Sequence, residues 1–404
     1  MTALVVRGDA CRLPLPDGCV DLIVTSPPYF GLRDYGYAGQ IGSEGTPGEW
    51  LEALWACTAE WVRVLKPEGS LFVNLGDKYA GGGPPGGAST STLHGQRRAH
   101  LAAAKARTVP GTPKSLLGLP WRYAIGCMDR LSLILRAEIV WAKPNGLPES
   151  VTDRVRRAHE QVFHFTRQPR YYAAVDEIRE PQVTPASGGQ GYPNRSGNGV
   201  THRSFNANAF NNPLGKLPGS VWEIPSAPLQ VPARLGVDHF AAFPPALVRP
   251  IVLGWSPPGV CTACGQGRRP VVDKNLCGAY TQHNSRPGRI DALEPANGRG
   301  LNGATYLHAS TSATITGYAC ACPEPDAPTR PAVVLDPFGG TGTTALVASA
   351  YGRHAITVDL SADYCRLARW RVHDPGERAR ARAMPKPPPV PDGQETLFTI
   401  TALT

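Results

Sequence analysis

The sequence has no apolar run that approaches the roughly 20 residues a membrane-spanning helix needs, because polar or charged residues interrupt every hydrophobic stretch. Its first ten residues, MTALVVRGDA, lack the basic region and apolar core of a secretory signal. No internal repeat is apparent. These absences argue against membrane and secreted classes, so we expect an intracellular, cytoplasmic protein.

Acidic side chains are in deficit. The chain of 404 residues has 41 lysines and arginines against 32 aspartates and glutamates, which gives a formal net charge of +9. Such an excess favours a polyanionic partner, with nucleic acid as the leading candidate, although charge alone cannot identify one. The length allows one large core together with an insertion or a second, smaller domain.

Short β-branched apolar runs alternate with segments of helical spacing. Two runs, Leu22–Thr25 and Ala332–Leu335, are followed at once by turn-forming residues. The other predicted elements are helices at Trp50–Leu65, Trp121–Leu131 and Ala345–Ala350, and strands at Ser70–Asn74, Ala137–Trp141, Gln161–Thr166 and Ala355–Val358. This alternating order predicts a doubly wound α/β sheet with sites at the strand ends.

A glycine-rich segment, Asp336–Thr344, follows the second of these runs; we call Asp336–Thr343 the glycine loop. Glycines let the backbone approach a ligand closely. The loop contains no lysine, so it is not a P-loop, and its acidic residue suits an ammonium or hydroxyl better than a phosphate. Asp359 ends the next strand, where a carboxylate accepts from ribose hydroxyls. S-adenosyl-L-methionine fits this chemistry; a capped glycine turn without ligand is the alternative.

The segment Ser26-Pro27-Pro28-Tyr29 follows the first run; we call it the catalytic segment after the role that its residues predict. Prolines fix the backbone, and an aromatic ring can stack on a planar group. An exocyclic amine is a poor nucleophile because its lone pair is delocalised into the ring, so catalysis needs acceptors for its hydrogens. The Ser26 hydroxyl and the Pro27 carbonyl could supply them, and Tyr29 a stacking face for a flipped base. Alone, the segment could be only a proline-rich turn.

The order of these motifs resembles that of the β-class amino-directed DNA methyltransferases, in which the catalytic motif precedes the cofactor motif. The resemblance spans most of residues 4–372. It is carried by the two motifs and by the segments Gly8–Ala10, Arg63–Pro67, Leu71–Asn74, Val140–Asn145, Pro148–Arg154, Ala158–Glu160, Arg170–Tyr172 and His239–Pro244.

The resemblance implies a Rossmann-like fold with a seven-stranded, mostly parallel sheet and one antiparallel strand. It also implies double-stranded DNA as substrate, base flipping, a bacterial or phage source and a role in restriction-modification. The cofactor residues it implies, together with those of the glycine loop, are Asp9 and Ala10 near the adenine, His239, Phe243 and Pro244 near the methionine end, and Asp336, Phe338, Gly339, Gly340, Gly342, Thr343 and Asp359.

Ser26 bears on the target atom. In the family, serine before Pro-Pro-Tyr is more typical of enzymes for cytosine N4, whereas aspartate or asparagine is commoner in those for adenine N6. We therefore expect cytosine-N4 methylation, with adenine-N6 as the alternative. Cytosine C5 chemistry needs a Pro-Cys nucleophile, which the chain lacks. The chain could also be a catalytically silent DNA-binding protein, or a methyltransferase that acts on RNA or protein.

Ten cysteines are present. Those scattered through the first half are expected to be reduced, whereas Cys261 and Cys264 have zinc-knuckle spacing and Cys320 and Cys322 could complete four thiolates. We expect a structural zinc ion, for which Cys277 and His283 are substitute ligands, with metal-free surface cysteines as the alternative.

The expected organisation of the chain follows these motifs. It has a catalytic half at 1–172 with a mobile loop at 81–114, a target-recognition region at 173–238, a cofactor-binding half at 239–256 and 332–374, a zinc-binding insertion at 257–331 and a disordered tail at 375–404. Arg154, Arg156, Arg157 and His159 form a basic stretch that we expect to contact the DNA backbone, with a solvated surface as the alternative. The tail contains Gln394–Phe398, which looks like a peptide that docks on a bacterial sliding clamp, with a disordered end as the alternative.

Overall fold

A computed structural model describes residues 3–32, 39–81, 111–146, 148–149, 151–181, 212–237, 243–282, 306–324 and 326–385, with only the backbone described at 275–282 and 306–311. Its helices are α1 Pro47–Val64, α2 Leu119–Leu131, α3 Pro245–Trp255, α4 Thr343–Ala350, α5 Ala362–His373 and α6 Pro375–Ala381, with short 3₁₀ turns at Val175–Ile178 and Ala233–Leu235. Its strands are β1 Ala3–Arg7, β2 Val20–Thr25, β3 Leu65–Leu75, β4 Ile134–Ala142, β5 His159–Thr166, β6 Val221–Glu223, β7 Val260–Cys261, β8 Arg269–Gln282, β9 Tyr306–Ala319, β10 Thr329–Arg330, β11 Val333–Asp336 and β12 His354–Asp359. None of the described helices is both long and apolar enough to cross a membrane.

The main sheet has the strand order β1-β12-β11-β2-β3-β5-β4-β6. Strand β5 is antiparallel to both of its neighbours, and every other pair in this sheet is parallel. The predicted Rossmann-like sheet with one antiparallel strand is therefore confirmed. Its one addition is β6, a three-residue strand that pairs with β4 and makes the sheet eight-stranded rather than seven-stranded.

Alternate side chains of the central strands enter two cores, one on each face of the sheet. Ile23 packs with the tryptophans and leucines of α1 and with α2, whereas Leu22 and Val24 pack with α3 and α4. Because both faces are covered, the central strands contain runs of consecutive apolar residues, such as Leu22–Val24, Leu71–Val73 and Val333–Leu335. Helix α1 begins before its predicted start because Thr46 and Glu49 form a capping box around Pro47.

The described residues divide into two compact units. The larger takes them from Met1–Glu177, Gly219–Arg268 and Cys320–Thr404, and the smaller from Ile178–Pro218 and Arg269–Ala319. The smaller unit contains the antiparallel ribbon β8–β9. The expected recognition region at 173–238 is thus split between units, since β6 belongs to the main sheet. That the remainder recognises DNA stays a prediction, and most of the expected mobile loop lies outside the described residues.

Two expectations need correction. Cys11 and Cys57 form a disulfide with Cα atoms 4.3 Å apart, although the scattered cysteines were expected to be reduced. Trp61 of α1 donates to the Ala10 carbonyl, a contact that brings the loop after β1 onto the helix. Cys19 and Cys127 are free thiols.

The tail is not disordered from residue 375, because α6 occupies Pro375–Ala381. The Asp374 side chain caps this helix by accepting from the Glu377 N–H. Glu377 in turn pairs at 2.9 Å with Arg371, whose side chain is 2% exposed. Composition alone predicted disorder here because it cannot show that Glu377 of α6 forms a buried ion pair with Arg371 of α5. Gln394–Phe398 lies outside the described residues.

Replacing Arg371 tests this pair. Arg371→Met leaves the buried Glu377 carboxylate with only its longer contact to Arg380, at 3.7 Å, and removes the bonds from Arg371 to Thr341 and Thr343. The free energy of unfolding should therefore fall by about 3–5 kcal/mol. Arg366→Met, on the same helix and in an exposed ion pair with Asp363, should cost no more than about 1 kcal/mol. Urea denaturation measures both. Equal losses would mean that the buried pair does not hold α6 in place.

Candidate active site

The glycine loop connects β11 to α4 at the carboxyl edge of the sheet. Gly342 has φ 76°, and a Cβ there would lie 2.7 Å from the Ala368 side chain. At Gly339 a Cβ would collide with the Thr357 hydroxyl. Since any side chain would displace the loop at these two positions, glycine is required for the turn and for its packing on α5 and β12.

Asp336 is the last residue of β11 and the first residue of the glycine loop. Its side chain is 1% exposed and accepts from the Thr25 hydroxyl at 2.8 Å, the Thr344 hydroxyl at 2.8 Å and the Phe338 N–H at 3.1 Å. Burial raises the pKa of this carboxyl to about 7, and the three donors oppose the shift only in part. Asp336 therefore joins the end of β2 to the glycine loop.

A single cavity of about 560 Å³ opens beside the loop. Of the expected cofactor residues, those that line it are Asp9, Ala10, Phe243, Phe338, Gly339, Gly340, Thr343 and Asp359. Asp336, Gly342 and Pro244 are not among the lining residues, and His239 lies outside the described residues. All four residues of the catalytic segment line the same cavity. The two predicted motifs, far apart in the chain, thus share one pocket.

Asp359 forms the acidic edge of the cavity. Its carboxylate accepts from the Gly340 N–H and from the Ser361 N–H, both at 2.8 Å. Burial raises its pKa above the ordinary value. Each carboxylate oxygen has capacity for a further donor, such as a ribose hydroxyl. Asp9, which follows β1, has an exposed side chain that accepts from the Cys11 N–H at 2.9 Å.

The catalytic segment is held by three contacts. Trp50 donates to the Pro28 carbonyl at 3.0 Å. The Tyr29 ring lies against Gly76, where a Cβ would approach it to 2.7 Å. The Tyr29 hydroxyl is 3.3 Å from the Ser26 hydroxyl. The Ser26 oxygen is therefore fixed on the cavity wall by its neighbours rather than left to rotate freely.

Three further side chains line the cavity near the catalytic segment: Asn74, Glu160 and Lys143. The Tyr29 hydroxyl donates to Glu160 at 2.8 Å, and the Asn74 amide lies 2.9 Å from the Tyr29 oxygen. Lys143 forms an ion pair with Glu160. Sequence reasoning quoted these residues but gave them no role. The signal it lacked was the reversed direction of β5, which brings Glu160, near the start of that strand, to the edge where β3 and β4 end.

The basic stretch expected to contact DNA makes internal bonds. Arg154 pairs with Glu149 and stacks 3.9 Å above the Tyr79 ring. Arg156 donates to the Gly146 carbonyl at 2.8 Å, and Arg157 donates to the Asp77 carbonyl. These contacts shape the loop beside the cavity. Phosphate contacts by the same side chains stay a prediction.

The four cysteines expected to bind metal lie together. The sulfur atoms of Cys261, Cys264, Cys320 and Cys322 are all within 4.8 Å of one another, and those of Cys264 and Cys320 are 3.8 Å apart. The backbone N–H of Cys264 lowers the pKa of Cys261 to about 7 by stabilising its thiolate. A tetrahedral zinc site with Zn–S bonds near 2.3 Å requires sulfur separations of about 3.8 Å. The cluster is compatible with a zinc ion.

The cavity suits a nucleoside that carries an amino-acid tail. Glycines give close backbone approach, Asp359 offers acceptors for a diol, and Phe338 and Tyr364 offer aromatic surface. The wall then continues to Ser26, so a group transferred from such a ligand would reach the catalytic segment. No basic side chain of the glycine loop favours a polyphosphate in its place.

Comparison with known proteins gives one consistent result. The sequence model of a family described as DNA methylase matches residues 20–262 and 329–369. The Type II methyltransferase M.XycI of Xanthomonas campestris pv. cyanopsidis is 38% identical over 63% of this chain and 72% of its own length. M.Cfr9I of Citrobacter freundii is 36% identical over 64% and 74%, and M.SmaI of Serratia marcescens is 28% identical over 91% and 90%.

A solved structure has the same fold. The PvuII DNA methyltransferase (cytosine-N4-specific) aligns with a TM-score of 0.52 at 16% identity, over 95% of this chain and 91% of that one. At this identity the likeness concerns the fold alone. The matched family segments leave out residues 263–328, which include β8 and β9.

The raised pKa of the buried Asp336 predicts that the free energy of unfolding depends on pH. Its pKa is about 7 in the folded protein against an ordinary 3.8, so unfolding releases a proton between these values. The free energy of unfolding should therefore fall as pH rises from about 4 to 7. Asp336→Asn removes this contribution, and the variant should gain stability relative to wild type between pH 5 and pH 8. Urea denaturation of both proteins at pH 5 and at pH 8 measures this difference in stability.

The exposed Asp363→Asn is the matched control for that comparison, since its carboxyl is not buried. Its stability difference from wild type should be the same at both pH values. A constant difference for Asp336→Asn as well would contradict the raised pKa.

Proposed function

The chain belongs to the DNA methylase family, and on that premise we propose that it transfers a methyl group from S-adenosyl-L-methionine to N4 of cytosine in double-stranded DNA. Family membership makes it an amino-directed DNA methyltransferase. Its relatives are Type II methyltransferases, and we infer that it is the modification enzyme of a restriction-modification pair. The proposal rests above all on one observation: Ser26–Tyr29 lines the same cavity as the glycine loop.

The choice of cytosine N4 over adenine N6 is supported by Ser26 at the first position of the catalytic segment. Both targets are exocyclic amines and would use the same acceptors. The choice therefore concerns which ring the pocket accepts, and the chemistry below applies to either.

The bound cofactor would supply an electrophilic methyl group on a sulfonium. We assign Asp359 to the ribose hydroxyls, Asp9 and Ala10 to the adenine and Phe243 to the methionine end. The glycine loop, with Phe338, Gly339, Gly340 and Thr343, would form the floor of the site, and Asp336 would position that loop through Thr25 and Thr344. No metal takes part in these assignments.

The catalytic segment would handle the target base. A flipped base leaves the stack and needs an aromatic or apolar face, which Pro28 and Tyr29 offer beside the cavity. The Ser26 hydroxyl and the Pro27 carbonyl would accept the two hydrogens of the amine, drawing its lone pair out of conjugation with the ring. The fixed backbone of the two prolines keeps both acceptors in place before substrate arrives.

We also propose that Cys261, Cys264, Cys320 and Cys322 bind one structural zinc ion. The 3.8 Å between the sulfurs of Cys264 and Cys320 equals the edge expected of a four-thiolate tetrahedron. Cys261 lies on β7, and Cys320 follows β9 directly. The ion would therefore fasten together the two chain segments at which the insertion leaves and rejoins the larger unit.

The DNA itself reports the function. Expression in a host without its own DNA methylation, followed by modification-sensitive single-molecule sequencing, should show N4-methylcytosine at one short motif. Ser26→Ala should reduce the modified fraction, since losing one acceptor costs about 10²-fold in rate, whereas Ser115→Ala, on an exposed hydroxyl, should match wild type. N6-methyladenine would refute the target atom, and unmodified DNA would refute the proposed activity.

Zinc content provides a separate prediction. Freshly purified full-length protein should contain about one equivalent of zinc, and Cys264→Ser should lower both the zinc content and the melting temperature. Cys19→Ser, a free cysteine outside the cluster, should change neither. Less than about half an equivalent in wild type would contradict a structural zinc site.

A further inference from the structure

The polar side chains around the catalytic segment form an ordered chain of hydrogen bonds. The Ser26 hydroxyl lies 3.3 Å from the Tyr29 oxygen, and the Tyr29 hydroxyl donates to Glu160 Oε2 at 2.8 Å. A carboxylate only accepts, so the Tyr29 proton points toward Glu160. The Tyr29 oxygen is then left to accept, and the Ser26 proton can point toward it. The hydrogen bonds thus run from Ser26 as donor to Tyr29, and from Tyr29 as donor to Glu160.

The far end of this chain is held from two sides. Lys143 pairs with Glu160 Oε1, and its ammonium also lies 4.1 Å from the Trp141 ring centroid. The Asn74 amide lies 2.8 Å from Oε2 and 2.9 Å from the Tyr29 oxygen. The Glu160 side chain is only 18% exposed. The carboxylate is therefore fixed with Oε2 toward Tyr29 and Oε1 occupied by Lys143.

Methylation of an exocyclic amine releases a proton that needs an acceptor inside the pocket. Pro27 offers a carbonyl, which cannot carry a proton onward, and a hydroxyl such as that of Ser26 can take one only by passing on its own. Water would be the ordinary acceptor, but a base and a cofactor that fill the cavity would displace it. Among the described residues that line the cavity near Ser26, Glu160 is the carboxylate connected to it by hydrogen bonds.

We propose that Tyr29 and Glu160 form a proton relay in which Glu160 is the final acceptor of the proton lost by the target amine; this rests on the proposed function. The N–C bond forms as the S–C bond of the methyl donor breaks. The amine proton passes to Ser26 Oγ, the Ser26 proton to the Tyr29 oxygen and the Tyr29 proton to Glu160 Oε2. The sulfonium charge and the carboxylate charge are lost together, so the step leaves no new charge in the pocket.

The relay gives Tyr29 a second role besides stacking. Its hydroxyl, not only its ring, would be needed, and its ring position against Gly76 keeps that hydroxyl between Ser26 and Glu160. Glu160 acts through Tyr29 rather than on the base, and Lys143 positions Glu160. Because the amine is common to cytosine and adenine, the relay does not depend on which of them is the target.

Two isosteric variants test the relay. Glu160→Gln keeps a hydrogen-bond acceptor for Tyr29 but cannot take a proton, and Tyr29→Phe keeps the ring but breaks the chain. With unmethylated genomic DNA as substrate and enzyme in excess over sites, each should lower the single-turnover methylation rate by about 10²-fold. Glu68→Gln, an exposed carboxylate on β3, is the control and should leave the rate unchanged.

Two readouts separate a relay from a structural role. The affinities of Glu160→Gln for S-adenosyl-L-homocysteine and for DNA should equal those of wild type. The double variant should be no slower than the slower single variant, because both changes interrupt one path.

The relay is overturned if Glu160→Gln keeps its rate within about threefold, loses rate only in step with DNA affinity, or combines multiplicatively with Tyr29→Phe. These outcomes differ from failure of the proposed function, in which wild-type protein itself would transfer no methyl group to DNA. An active wild type with an unaffected Glu160→Gln rejects the relay alone.

Discussion

The arrangement of the site depends on the hydrogen bonds that the buried Asp336 carboxyl makes. This carboxyl lies at the end of β11 and accepts from Thr25, the last residue of β2, across a sequence separation of 311 residues. The residue after Thr25 is Ser26, and the residues after Asp336 form the glycine loop. One side chain therefore fixes the relative positions of the catalytic segment and the loop. Its burial shifts it toward the neutral form, which can donate as well as accept within this network.

Strand order explains why two motifs at opposite ends of the chain can share a pocket. β2 and β11 are adjacent and parallel, with Leu22 opposite Val334 and Ile23 opposite Leu335. Both strands therefore end at the same edge, one leading into Ser26–Tyr29 and the other into Asp336–Thr343. β12, on the far side of β11, places Asp359 beside the loop. The register of these three strands thus brings the catalytic segment, the glycine loop and Asp359 to one edge of the sheet, although long stretches of sequence separate them.

Strand and helix patterns predicted most of this arrangement, because period and turn chemistry are local properties of the chain. Strand β2 and the glycine loop were located to within a few residues, and the catalytic segment lines one cavity with that loop. Contacts made only in the folded chain were missed. Glu160 meets Tyr29 because β5 runs antiparallel, and α6 is stable because Glu377 reaches Arg371. The early start of α1 was a local signal that was overlooked, since Thr46 and Glu49 form a capping box.

The two ends of the insertion between β7 and β10 are held together by residues of the larger unit. β7 pairs with β10, with Cys261 opposite Thr329, and Thr262 bonds to the Pro328 carbonyl through its N–H at 2.9 Å and its hydroxyl at 2.8 Å. These contacts bring the two ends of the inserted segment together before β11 begins. The entropic cost of closing a long loop grows only slowly with its length. Because the two ends are held together, the length of the inserted segment has little effect on the stability of the larger unit. The cysteine cluster lies at the same two ends, so metal binding there would tighten the closure rather than touch the chemistry. Gain or loss of the segment outside the matched family regions can therefore leave β11, the glycine loop and Asp336 where the reaction needs them.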